Sequence, residues 1–91
     1  MAMSAEPVWQ LDYDARGDVL YASIGDPQPA LSYEIETDVL LNYIPPNPRV
    51  VGITVINFLK HFPRREIAPI DSHATAVVED LYRKYPCVPM H

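Results

Sequence analysis

Five short runs of β-branched and aromatic residues, each closed by a glycine, aspartate or proline breaker, constrain this chain more than any other feature. Val8 to Asp14 alternates Trp9, Leu11 and Tyr13 with Gln10, Asp12 and Asp14, the period of two that a strand with one wet face requires. Ala15-Arg16-Gly17-Asp18 supplies a reversal and Val19 to Ile24 resumes the pattern, so the first two runs predict a hairpin. Gly25-Asp26-Pro27-Gln28-Pro29 then breaks the chain, because proline removes ladder donors and restrains the residue before it. Ala30 to Glu36 reads as a third strand, with Leu31, Tyr33 and Ile35 opposite Ser32, Glu34 and Glu36. Thr37-Asp38 is a short reversal into Val39 to Ile44. Pro45-Pro46-Asn47-Pro48, which does not suit the interior of a sheet, joins that fourth strand to Val50 to Ile56.

The fourth and fifth runs are apolar on both faces: Val39, Leu41 and Tyr43 against Leu40 and Ile44, then Val51, Ile53 and Val55 against Val50 and Ile56. Such strands are expected where both sides of a sheet are covered. One covering element is legible. After Asp71 or Ser72, either of which can cap a helix, Ala74, Val77, Val78, Leu81 and Tyr85 recur on one stripe up to Pro86. Glu79 with Arg83 and Asp80 with Lys84 stand at i,i+4 on the opposite side. Asn57 to Phe62 is either one helical turn or the frayed end of the fifth strand, and the segment from Arg64 to Ile70 has no regular pattern. The expectation is a single α+β domain over residues 1–91, an antiparallel β-meander of about five strands with a C-terminal α-helix, residues 71–85, packed on one face. A single helix covers one face only, so the other face predicts a homodimer.

At 91 residues there is room for one core, and 48% hydrophobic residues suffice to build it. No apolar run approaches the roughly 20 residues of a membrane span, and the start MAMSAEPVW has neither a basic nor an apolar leader region. The lone Cys87 cannot form an intrachain disulfide, so the reading is cytoplasmic. Net charge is −5, and eight acids face one base, Arg16, between Glu6 and Asp38. Phosphate backbones attract clustered cations, so nucleic acid is not the expected partner. A small basic protein is.

Candidate chemistry is sparse. Asp12, Asp14 and Asp18 imitate the start of a calcium loop, yet Arg16 stands where that loop needs an oxygen ligand and Ser23 where it needs a bidentate glutamate. The structural alternative gives Asp14 and Asp18 to backbone N–H groups of the hairpin turn and leaves Asp12 on the wet face. Asp71-Ser72-His73 has the residue types of a hydrolytic triad, but sequence neighbours do not converge as a triad must, so a helix start is preferred. His61, His73 and His91 lack zinc-ligand spacing. Gly17, Gly25 and Gly52 are too scattered to cradle a phosphate, and no cofactor is expected. Lys60, His61, Arg64 and Arg65 form a local basic patch, read as solvated. Tyr13, Tyr21, Tyr33 and Tyr43, each on a separate one of the first four strands, could share one face with Trp9. With Glu34 and Glu36 they are the candidate interaction surface.

Tyr13-Asp14-Ala15-Arg16-Gly17-Asp18-Val19-Leu20-Tyr21-Ala22-Ser23-Ile24, read as YD-x3-D-x-LY-x2-I, resembles the opening of domain-of-unknown-function family 2283, small bacterial and archaeal proteins. Val39-Leu40-Leu41-Asn42-Tyr43 is similar to that family's apolar-polar-Tyr strand, and Val50-Val51-Gly52-Ile53-Thr54-Val55-Ile56-Asn57 to its v-v-G-I-E-I-l-n strand. The resemblance spans roughly residues 8–60. The chain departs at Asn42, where an acid is frequent, at Thr54, where Glu is usual, and in the proline-rich loop. The resemblance implies a fold and, since members sit beside genes for small toxin-like proteins, an antitoxin-like role. The residues favour a non-catalytic protein-interaction module over the alternative, a small-ligand binder or minor enzyme with a pocket at the sheet–helix or dimer seam.

Overall fold

The computed structural model describes residues 8–64 and 69–89. Five strands, β1 (Trp9–Asp14), β2 (Val19–Ile24), β3 (Leu31–Glu36), β4 (Val39–Ile44) and β5 (Asn47–Ile56), form one antiparallel sheet, and α1 (Phe58–His61) and α2 (Ile70–Lys84) follow. The α+β class with a C-terminal helix is as the residue patterns require.

The sheet order is β1-β2-β5-β4-β3. β3, β4 and β5 run as consecutive antiparallel neighbours, and β5 then lies beside β2, which gives four of the strands a Greek-key arrangement. The link from β2 to β3 must therefore cross three inter-strand spacings, about 14 Å. Residues 25–30 make that crossing, and six residues reach about 20 Å when extended. Pro27 and Pro29 keep them so.

One face is the core. Leu20, Leu41, Ile53, Val55 and Phe58 have no exposed surface, and Ala74, Val78 and Leu81 of α2 close over them. The stripe predicted for the helix is thus the stripe that docks. Its start differs: Pro69 occupies the cap position and no side chain caps the helix, so neither Asp71 nor Ser72 does so. The expected i,i+4 pairs also give way. Arg83 bonds Asp80, one residue closer, at 2.6 Å, and Lys84 reaches across to Glu36 of β3 at 3.1 Å.

β5 begins earlier than its prolines indicate, because Asn47 pairs with Ile44 and only Pro45-Pro46 makes the turn. The Pro48 carbonyl accepts from Val88 N–H at 2.8 Å, and Val50 N–H donates to the Pro86 carbonyl at 2.9 Å. The chain after α2 thus occupies the flank of β5 that β2 leaves free, and Val88 is buried there. A register shift places Gly52 opposite Asn42 but Val50 opposite Tyr43, so Val51 is an extra, bulged residue. The bulge carries Val50 into the core with Ile53 and Val55, instead of leaving it opposite them as strict alternation would.

Gly52 sits where β2 and β4 press closest. A Cβ there would lie 2.8 Å from the Ala22 carbonyl oxygen and 3.2 Å from Asn42 Nδ2. The first neighbour is backbone of a paired strand, so Gly52→Ala is expected to lower the unfolding free energy by about 2 kcal/mol, read from urea denaturation. An unchanged midpoint would show that β2 yields at no cost.

Candidate functional site

Register decides which residues share the face that α2 leaves bare. Directly opposed residues of antiparallel neighbours point the same way. Asp12, Tyr21, Thr54, Leu40 and Glu34 therefore form one row across all five strands, and Gln10, Ser23, Gly52, Asn42 and Ser32 form the next. The second row is small and polar with a glycine at its centre. Above it lies a depression of about 490 Å³, floored by Asn42 and Thr54 and walled by Pro27, Gln28 and Ala30 of the crossover.

The floor is hydrogen-bonded within itself. Ser32 Oγ donates to Asn42 Oδ1 at 2.9 Å, and Asn42 Nδ2 donates to Thr54 Oγ1 at 3.2 Å. At the rim, Gln10 Nε2 donates to Asp26 at 3.2 Å and Ser23 Oγ to the Gly25 carbonyl at 3.1 Å. Asn42 and Thr54 are thus partners in a single chain of bonds.

No protein-family model, curated protein or solved structure matches the chain.

The seven residues of the candidate surface do not assemble in one place. Tyr21, 48% exposed, and Glu34 lie on the helix-free face. Trp9, Tyr13, Tyr43 and Glu36 belong to the covered side. Trp9 meets Tyr82 edge-on, with ring centroids 5.4 Å apart, Tyr13 packs against Phe58 at 5.9 Å, and Tyr43 lies against the core cluster. Glu36 accepts from the Tyr85 hydroxyl and from Lys84. Tyr33 shares the face of Leu41 by register, beyond the reach of the helix, and is 40% exposed beside Leu31 at 55%. Every residue from Leu31 to Glu34 is exposed, which makes β3 the more open of the two sheet edges.

The three aspartates read as metal candidates separate in the same way. Asp14 accepts from Arg16 N–H at 3.0 Å and Gly17 N–H at 3.4 Å, as a turn ligand should. Asp18 turns to other partners: the Tyr13 hydroxyl at 2.7 Å and Leu59 N–H at 2.9 Å, so it holds the first turn of α1 instead of its own hairpin. Asp12, on the helix-free face, joins neither set of bonds. Among the described residues no group of three His, Cys, Asp or Glu side chains converges as metal ligands would. His61 pairs with Asp38 at 2.8 Å, and His73 Nε2 donates to the Phe62 carbonyl at 2.6 Å while its ring packs on Phe58. That bond commits the His73 nitrogen that a triad with Ser72 would need. Arg65 and His91 lie outside the described residues. Among the described residues no helix is long and apolar enough to cross a membrane.

Sequence reasoning missed the polar floor. An isolated glycine inside a strand pattern, here Gly52, is the signal that could have found it, because it marks a bulge or a close approach of backbone.

Three carboxylates on the covered side and at the turns are held below the usual carboxylate pKa. For Asp18 burial opposes ionisation, but bonds from Leu59 N–H, the Tyr13 hydroxyl and Lys60 N–H together outweigh it. The Tyr85 hydroxyl and Lys84 lower Glu36, and His61 and Asn57 lower Asp38. A lowered folded-state pKa gives stability that is present above the unfolded value, about 4, and is lost as pH falls through the folded value. The urea midpoint is therefore expected to drop on going from pH 6 to pH 3. Asp18→Asn, which tolerates the left-handed backbone at φ 55, should flatten that drop. A midpoint unchanged by acid would show the three carboxylates to be energetically idle.

Proposed function

We propose that this chain is a cytoplasmic, non-catalytic protein-interaction module of the domain-of-unknown-function family 2283 type, antitoxin-like in taking a small basic protein on its helix-free sheet face. The observation that carries the reading is the composition of that face. Its apolar residues, Tyr21, Leu40 and the 37% exposed Ile56, are not covered by α2, and its rim carries the acids Asp12, Asp14 and Glu34. Arg83 and Lys84 stand on the helix and are paired with Asp80 and Glu36. Exposed apolar residues between acids on the two edge strands are complementary to a basic partner and accelerate its encounter. The single, exposed Cys87 fits a reducing compartment.

The β3 edge supports self-association in addition. An exposed edge strand offers unpaired N–H and C=O groups to a second strand, and Leu31 and Tyr33 flank it with apolar surface. On this reading two copies pair through β3 and leave both helix-free faces open.

Affinity purification of the tagged chain from its native lysate is expected to recover a stoichiometric small basic protein, and a Tyr21→Ser, Glu34→Lys double variant of unchanged thermal stability is expected to lose it. Recovery of no stoichiometric partner, or equal recovery by the variant, overturns the assignment. Light scattering at micromolar concentration is expected to give a dimer that Leu31→Lys converts to a monomer. A monomeric wild-type protein removes the β3 pairing and leaves the face to the partner.

A further inference from the structure

We infer that the depression over Gly52 is a guanidinium site, which seats the side chain of an arginine supplied by the basic partner; the inference rests on the reading above for the source of that arginine and on the pocket alone for its chemistry. The argument begins with charge. Asp12 is the one formally charged residue that lines the depression, and no Lys, Arg or His lines it. Asp12 is exposed and makes no hydrogen bond or ion pair among the described residues. A carboxylate beside a cavity of about 490 Å³ with no cation of its own disfavours anionic ligands and favours a cation.

The hydroxyls and amides sharpen the class. Ser32 Oγ has given its proton to Asn42, and Ser23 Oγ has given its proton to the Gly25 carbonyl. Gln10 has turned its Nε2 to Asp26, so its carbonyl oxygen is the end left to accept. Ser23, Ser32 and Gln10 therefore face the cavity as acceptors, beside the carboxylate of Asp12, while Thr54, whose Oγ1 accepts from Asn42, and Tyr21 keep hydroxyl protons. A ligand with donors and no acceptor matches them, and guanidinium, with five N–H donors in a plane, is such a group. Donor-acceptor ligands such as sugars would find fewer donors than acceptors there and would leave the Asp12 carboxylate without a cation.

Tyr21 supplies the plane. It is the cross-strand partner of Asp12, lines the same depression and keeps about half of its surface exposed. A guanidinium stacked on a phenol ring while it forks onto a neighbouring carboxylate satisfies both its π face and its edge, which an ammonium cannot do. Gly52, between Ser23 and Asn42 in the row, adds no side chain there.

The test is a titration of the full, isotope-labelled chain with N-acetyl-L-argininamide, followed by amide chemical shifts. Saturable shifts confined to the surroundings of Asp12, Tyr21, Gly52 and Thr54 are expected. Asp12→Asn, a change at an exposed position, should weaken the binding by about tenfold. The neutral citrulline analogue should give no saturable shift, and the lysine analogue should bind more weakly than the arginine one. Absence of saturation at tens of millimolar, equal binding of the citrulline or lysine analogue, or full binding by Asp12→Asn overturns the inference. The two readings fail separately: a basic partner that still requires Tyr21 while the arginine probe does not bind ends the pocket assignment alone, and a probe that binds where no partner co-purifies ends the interface assignment alone.

Discussion

The structure depends on how β5 leaves the sheet. It is the central strand, paired with β2 on one side and β4 on the other, and its core-facing residues are fully shut from solvent. At its exit two aspartates in left-handed backbone conformation, Asp18 with φ 55 and Asp38 with φ 66, hold the chain from both flanks. The carbonyl of Asp38 accepts from Ile56 N–H and that of Asp18 from Phe58 N–H, each at 2.8 Å. Their carboxylates then take Asn57, His61 and Leu59. Each aspartate ends a hairpin turn, so the β1-β2 and β3-β4 hairpins converge on the same five or six residues. Asn57, itself left-handed with φ 55, bends the chain there, and Phe58 is driven under the sheet. Asp and Asn are the non-glycine residues that adopt this backbone most readily, which is why the clamp is built from them.

Once Phe58 is buried, the distribution of the other aromatics follows. Tyr13, Phe62 and His73 gather on its ring within about 6 Å, and α2 is carried over the same face. Trp9 and Tyr82 close the far end. Most of the aromatic surface of the chain is thus committed to one side of the sheet, and Tyr21 remains on the other. At the Trp9 end of the sheet the crossover of residues 25–30 passes on the helix-free side and raises a wall there. The depression is a consequence of topology: a longer, slacker link would have no need to lie across the strand ends.

The strands and the helix stripe were legible because period two and period 3.6 are local signals. Strand order was not, since nothing in Val50 to Ile56 says that its second neighbour will be β2, some 30 residues back. The same distinction governs the aspartates. Asp14 could be assigned to its own turn because its donors are two and three residues away. Asp18 looks equivalent in sequence, yet its backbone donor, Leu59, is 41 residues along. Lys84 was paired with its helical neighbour Asp80 on spacing alone, and a carboxylate 48 residues distant, Glu36, took it instead. For the tyrosines, one residue per strand could not reveal a common face, because the face depends on pairing register. Tyr21 is out of phase with Tyr13 for that reason. The Val51 bulge broke the last regularity, since a single extra residue exchanges the faces of everything before it.

The helix-free face shows how charge is apportioned when a sheet side has no covering layer. Asn42 and Thr54 approach within 3.2 Å at its centre. Two carboxylates at that separation could not both ionise, and one would hold a proton at neutral pH. A single acid at either position would still find donors, in Asn42 Nδ2 or in the Ser32 and Thr54 hydroxyls, but it would put a formal charge on the floor. With a neutral pair there, the negative charge of the row is left to Asp12 and Glu34, which end it on the two edge strands. Water can solvate those carboxylates at little cost, while the floor between them keeps its hydrogen bonds internal. The outcome is a surface whose field is acidic at the rim and whose floor is fixed in orientation, the arrangement in which a bound cation would meet preset acceptors and would not have to order them.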